Sequence, residues 1–163
     1  MRPSTVFGAS PNFRSDIVFN NFVGSAFTTG KIEVRSDGTP WRPVVHIRDV
    51  AAAFIAALEA PRELVGSQSF NIGIPNGNYT VRQIAEIAQQ AMPESELTFT
   101  GEHSKDTRTY RISFNKILTT LKDYYKPEWD LVRGGRELLE LFKKINFTEE
   151  QFRNRMANRL KQI

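Results

Sequence analysis

Arg42 lies between Pro40 and Pro43, just ahead of the β-branched residues Val44, Val45 and Ile47. A guanidinium presented by stiff backbone beside a buried strand suits a fixed anion such as a diphosphate, whose oxygens it can take two at a time. On composition alone, an ordinary solvated arginine is the alternative. Other chemistries are thinly supplied. The chain has no cysteine, which excludes disulfides, thiolate zinc sites and cysteine nucleophiles. Its two histidines, His46 and His103, are isolated, which argues against a histidine metal centre. On an alternating strand His46 faces opposite to Val45 and Ile47, so it reads as structural. Asp49 reads as a helix N-cap, not a catalytic acid. Trp41 reads as a packing residue.

The elements that must position Arg42 surround it. Lys31 to Arg35 is a strand candidate, Asp37-Gly38 a turn, and Val44 to Ile47 a buried strand. From Asp49 the spacing predicts a helix with Val50, Ala53, Phe54, Ala57 and Leu58 on one face. Upstream, Pro3 to Phe7 reads as a strand ended by Gly8, and residues 9–16 as a loop of turn formers. Ser15 or Asp16 then caps a helix carrying Ile17, Phe19, Asn20, Val23, Gly24 and Phe27, closed by Gly30 at its C′ position.

Downstream, Ser69 to Ile74 is a strand and Pro75 to Asn78 a turn. A Thr80/Gln83 capping box opens a helix to Ala91, with Ile84, Ile87, Ala88 and Ala91 on one stripe. Leu97 to Thr100 alternates as a strand, Gly101 to Thr107 is a polar loop, and Tyr110 to Phe114 is extended. Asn115 caps a short helix from Lys116 to Leu121. After the linker Lys126 to Trp129, Asp130 caps a helix to Ile145 with Leu131, Leu138, Leu139 and Phe142 inward. Thr148 and Gln151 open a last helix with Phe152, Met156, Leu160 and Ile163 along one side. The order β-α-β-β-α-β-α-β-α-α-α indicates an α/β architecture. Several strands lack a sequential partner, and a buried strand beginning at Pro3 leads us to expect that something precedes it.

Length and charge set outer bounds. The 163 residues, 40% hydrophobic and 25% charged, suffice for a single domain over 1–163 with its own core. No run is long enough for a membrane span, and Met1-Arg2-Pro3-Ser4 leads into no signal-peptide h-region, so we expect a cytoplasmic chain without a membrane partner. The net charge of +4 gathers toward residues 133–163, where basic and acidic residues alternate along expected helices. Such alternation marks solvated faces. No arginines interleave with aromatics as a single-strand binder requires, so nucleic acid is not the expected partner.

Four blocks, taken together and in order, resemble the C-terminal half of an extended short-chain dehydrogenase/reductase, the NAD-dependent epimerase/dehydratase family acting on nucleotide sugars. They are Arg2-Pro3-Ser4-Thr5-Val6-Phe7-Gly8, the stretch from Asp37 to Ala51 around Arg42, Phe70-Asn71-Ile72-Gly73, and Asp106-Thr107-Arg108-Thr109-Tyr110-Arg111 with Phe114-Asn115-Lys116-Ile117. The resemblance covers essentially the whole chain. It implies a nucleotide-sugar-binding part in which Arg42 and Arg108 contact the diphosphate, with Asn71, Arg14 and Asn12 as further substrate contacts. Asp106 and Arg111 flank Arg108, so a local ion pair is its alternative role. For Asn71 the alternative is satisfying backbone groups at a strand end.

The family's cofactor machinery is not in this sequence. There is no Gly-x-x-Gly-x-x-Gly, and Tyr79, Tyr110, Tyr124 and Tyr125 are followed four residues later by Gln83, Phe114, Glu128 and Trp129, never by lysine. The expectation is a substrate-binding part lacking most of the Rossmann sheet, with no catalytic residue and no cofactor held by this chain alone, NAD being implied for an intact enzyme. Whether the chain is itself an enzyme stays open. A separately encoded Rossmann subunit or a homo-oligomer is the expected partner beside the nucleotide sugar. A non-catalytic interaction module derived from the family is the alternative. Phe13, Phe19, Phe22 and Phe27 are expected to line an apolar patch left for such a partner.

Overall fold

Short parallel strands that return through helices give this chain its frame. The computed structural model describes residues 1–101 and 109–153. Arg108, Asp106 and His103 lie outside the described residues, as do Met156, Leu160 and Ile163 of the expected last helix. The N-terminal strand is two pieces, β1 (Arg2–Pro3) and β2 (Thr5–Phe7). They are followed by α1 (Val18–Thr29), β3 (Lys31–Val34), β4 (Trp41–His46) and α2 (Ile47–Glu59). Then come the short α3 (Arg62–Val65), β5 (Asn71–Ile72), β6 (Asn78–Thr80), α4 (Val81–Ala91) and β7 (Glu96–Phe99). The helices α5 (Asn115–Thr120), α6 (Leu131–Lys144) and α7 (Glu149–Arg153) complete the described elements.

Three small sheets result among the described residues: β1 with β5, β2-β4-β6, and β3 with β7. β1–β5, β2–β4 and β3–β7 are parallel, and only β6 runs antiparallel to β4. In the middle sheet Val6 sits beside Val45 and Arg42 beside Tyr79. The turn at 75–78 therefore feeds a third strand that the sequence pattern does not announce, since Asn78-Tyr79-Thr80 merges into the helix cap.

Most caps are as expected. Gly30 closes α1 in the left-handed region at φ 70°. The Thr80/Gln83 capping box is complete, and Asp130 accepts the Arg133 N–H at 2.7 Å. Three caps differ. Helix α2 starts at Ile47, so its N-cap is His46, whose ring accepts the Arg48 N–H. Asp49 is instead buried in the first turn, where its two oxygens accept the Glu128 and Trp129 N–H groups at 3.0 Å. The N-cap position of α1 is Ile17, not Ser15 or Asp16, since the chain turns helical only after Ile17, and Asp16 forms an ion pair with Arg14. Asn115 lies inside α5, behind Phe114.

Two cores form. The first packs Phe7, Phe19, Phe22, Ile32, Ile84, Leu138 and Phe142 between α1, α4 and α6 and the β3–β7 pair. Phe19 is fully buried, Phe22 nearly so, and Phe13 and Phe27 lean on the same core. The expected exposed phenylalanine patch is therefore absent, because α6 closes over α1. The second core joins Val45, Ala53, Ala56, Phe70, Ile72, Ile117, Leu121 and Tyr125 beneath α2. On α2 the buried face is Asp49, Val50, Ala53 and Ala56, while Phe54 and Leu58 point outward, contrary to the helical-face expectation. Small alanines let α2 approach β4 closely, which rotates the large side chains out.

Candidate functional site

The parallel pair β2–β4 ends at Phe7 and His46, and a recess of about 400 Å³ opens at those carboxyl ends. This is where open α/β sheets bind ligands. Its walls come from Ser4, Gly8, Ser10, Asn12, Arg14 and Asn20, with Ile17 and Ile47 as apolar floor. A second recess, of about 220 Å³, is bounded by Val18, Phe22, Val34 and Val81, with Arg35, Ser36 and Arg42 as its polar members. Ile17 lines one recess and Val18 the other, so both adjoin the start of α1. A third recess, about 470 Å³, lies where Trp41 meets the 111–118 segment, and its single charged lining residue, Arg111, rests over Trp41 at 4.3 Å. Volume alone would favour it, but it has neither the strand-end position nor a second cation. The pair at α1 is the better candidate.

The electrostatics agree. At the start of α1 the N-cap position, Ile17, brings no polar side chain, and the first turn has no acidic residue. Ser4 Oγ is buried without a hydrogen-bond partner among the described residues, and Ser4 lines the first recess. An orphan hydroxyl in a recess is a group a ligand can satisfy.

The expected contact residues are distributed unequally. Arg42 is half-buried on β4, donates from Nη1 to the Trp41 carbonyl at 2.9 Å, and lines the second recess. Arg14 and Asn12 join the first recess. Arg14 is held by Asp16 at 2.6 Å through a side-chain hydrogen bond that raises its pKa and compensates its charge locally. Asn71 donates to the Ser113 carbonyl at 3.3 Å and lines neither recess. Arg108 lies outside the described residues. Asn20 was not singled out as a site residue. It is buried, accepts the Gly8 N–H at 3.0 Å, and donates to the Arg14 carbonyl at 3.0 Å, tying α1 to the recess wall. Its signal in the sequence was an amide among apolar helix positions.

The adjacent glycines Gly134 and Gly135 sit inside α6, where a Cβ would meet Phe7, His46 and Phe19, so they serve helix packing and not a phosphate turn. Among the described residues no three His, Cys, Asp or Glu side chains gather as a metal site. No described helix is long and apolar enough to cross a membrane.

Comparison with known proteins agrees with this geometry. Residues 1–73 match the sequence model of the NAD dependent epimerase/dehydratase family. The fold is shared with UDP-glucuronic acid 4-epimerase from Bacillus cereus at TM-score 0.69 and 22% identity, over 88% of this chain and 44% of that one. It is shared with UDP-glucose 4-epimerase from Thermotoga maritima at TM-score 0.71 and 22% identity, over 89% and 45%. An NAD-dependent NDP-hexosamine 5,6-dehydratase of tunicamycin biosynthesis matches at TM-score 0.68 and 20% identity, over 87% and 44%. The chain thus spans somewhat under half the length of each of these enzymes. The match over residues 1–73 takes in β2, the loop after it, α1 and β4, and over that stretch the chain is similar to the NAD dependent epimerase/dehydratase family, whose fold the solved structures share.

Proposed function

We propose that this chain is the nucleotide-sugar-binding part of an epimerase or dehydratase. The sugar lies in the recess at the ends of β2 and β4, and the nucleoside in the recess between Val34 and Val81. The diphosphate crosses the start of α1. The observation that carries this is that both recesses adjoin the N-terminus of α1, with Arg42 lining one of them. A diphosphate brings about two negative charges, which an arginine fork and helix N–H groups stabilise together. Arg42 is the principal contact and Arg108 its counterpart. Asn12 and Ser4 face the sugar. Arg14 orders the loop through Asp16, and Asn71 contributes to substrate only at the margin.

The chain supplies the clamp and not the hydride chemistry, and it works with a separately encoded Rossmann half. Exposed Phe54, Ile55 and Leu58 on α2 favour such an apolar partner, as they would an interaction module without catalysis. Calorimetric titration of the 163-residue chain with UDP-glucuronic acid and UDP-glucose tests the ligand. Binding by the wild type, weakened roughly 10- to 100-fold (about 1.4–3 kcal/mol) in Arg42→Ala, is the expected result for a charge-assisted contact. No heat with either nucleotide sugar sinks the proposal. Unchanged affinity in the variant removes Arg42 from the site. The two partner readings separate on whether a Rossmann-type polypeptide restores NAD-dependent turnover of the sugar.

A further inference from the structure

Glu137 lines neither recess, yet it holds the wall of the first one in place. It sits on α6, 128 residues along the chain from Ala9. Its Oε2 accepts the Ala9 N–H at 3.2 Å and lies 2.8 Å from His46 Nε2. Its Oε1 meets Arg48 Nη2 at 3.0 Å. The imidazole is fully buried, and its Nδ1 accepts the Arg48 N–H at 3.3 Å. That fixes the ring proton on Nε2, so His46 donates to Glu137. One carboxylate therefore takes three donors, from the loop after β2, from the end of β4 and from α2.

The loop has few other anchors at this point. Gly8 adopts φ 113°, and a Cβ there would collide with the His46 ring. Its amide is held by Asn20 and the next amide, of Ala9, by Glu137. The chain then runs through Ser10 and Asn12 along the recess. Helix α6 can bring Glu137 this close because Gly134 leaves room for Phe7. Around the imidazole, Trp129 stacks at 4.2 Å and 10°, with Arg48 and Arg133 over its indole and Asp49 fixing its amide.

We propose that Glu137 is a positioning residue for the sugar recess: its carboxylate sets the path of Gly8 and Ala9, so α6 governs a site it does not line. The ligand half of this proposal rests on the nucleotide-sugar reading above, whereas the loop half stands alone.

Residue-resolved amide hydrogen exchange on the full chain tests the loop. In Glu137→Ala, exchange at Ala9 should rise at least about tenfold while Val45, deep in β4, keeps its wild-type rate. Glu137→Gln keeps the shape and one acceptor oxygen but loses the charge that faces Arg48 and His46. It should fall between the two, and it serves if the alanine variant does not fold. The His46 ring nitrogen shifts should change in both variants, which a packing role alone would not produce. Exchange that rises equally at Ala9 and Val45, or at neither, overturns the proposal. With UDP-glucuronic acid as probe, the dissociation constant should rise about tenfold in Glu137→Ala. If the wild type binds no nucleotide sugar, the site reading fails, and the exchange contrast still decides the role of Glu137.

Discussion

The two cores differ in how completely they close. Around Phe142 the first is sealed: Phe13, Phe27 and Phe147 surround its ring at centroid distances of 5.3, 5.5 and 4.6 Å, and α1, α4 and α6 cover one another. The second ends at α2, which buries Asp49, Val50, Ala53 and Ala56 and leaves Phe54, Ile55 and Leu58 at 48, 53 and 87% exposure. Beside it, among the described residues, β1 and β5 pair only with each other. One region is complete by itself, while the other presents apolar surface and open strand edges of the kind that a neighbouring layer covers. Of the two recesses at α1, only the first takes from both regions, with Phe7 and Ile17 of the sealed region and Val6 of the open one, whereas Val18, Phe22, Val34 and Val81 set the second against the sealed region.

The sharpest way to break this comparison is inside the sealed core. Phe142→Ala removes a fully buried ring and should cost about 3–5 kcal/mol in a denaturant titration. A cost under about 1 kcal/mol would mean that α6 is not the lid of that core, and the role assigned to Glu137 would weaken with it.

How legible each region was follows from the same contrast. The helices α4 and α6 were readable because caps and apolar stripe agreed: Thr80 with Gln83, Asp130 with Arg133, and Leu138 and Phe142 inward. The buried strand beside Arg42 was readable because Val44 and Val45 form a β-branched run. The face of α2 was misjudged because Phe54 and Leu58 are apolar at helical spacing, and periodicity does not say which apolar stripe the rest of the chain covers. The cap at Asp49 was misjudged because the decisive partners, the Glu128 and Trp129 amides, lie 79 and 80 residues away. Glu137 looked like one charge among many on a helix surface. Its three donors arrive from distant parts of the chain, and no local spacing announces them.

A smaller effect comes from His46, at the seam of the two regions. Burial lowers its pKa against a partial counter-pull from Glu137, with Asp49 opposing and Arg48 assisting the shift. A histidine that is harder to protonate folded than unfolded contributes stability above its unfolded pKa of about 6.5 and loses it as pH falls below that value. Denaturation midpoints should therefore drop between pH 7 and pH 5.5, by at most about 1.4 kcal/mol per pH unit. In His46→Gln the drop should be shallower, because His103 is the only other histidine in the sequence. Equal slopes in both proteins would show that His46 does not titrate across this range.

The smallest effect is expected on the open face, and it is the one that sharpens the comparison most. Leu58 is 87% exposed, so Leu58→Ser removes almost no buried area from the chain. Its unfolding free energy should change by no more than about 0.5 kcal/mol, as for most surface substitutions. Self-association, measured by light scattering against concentration, should fall if the stripe is sticky. The double variant Phe54→Ser with Leu58→Ser should lower it further while the Phe142 core keeps its cooperativity. A loss above about 1.5 kcal/mol would mean that the α2 face is already covered in solution, by this chain or by a second copy of it. The open region would then be as closed as the first, and the case for a separate partner on α2 would have to rest elsewhere.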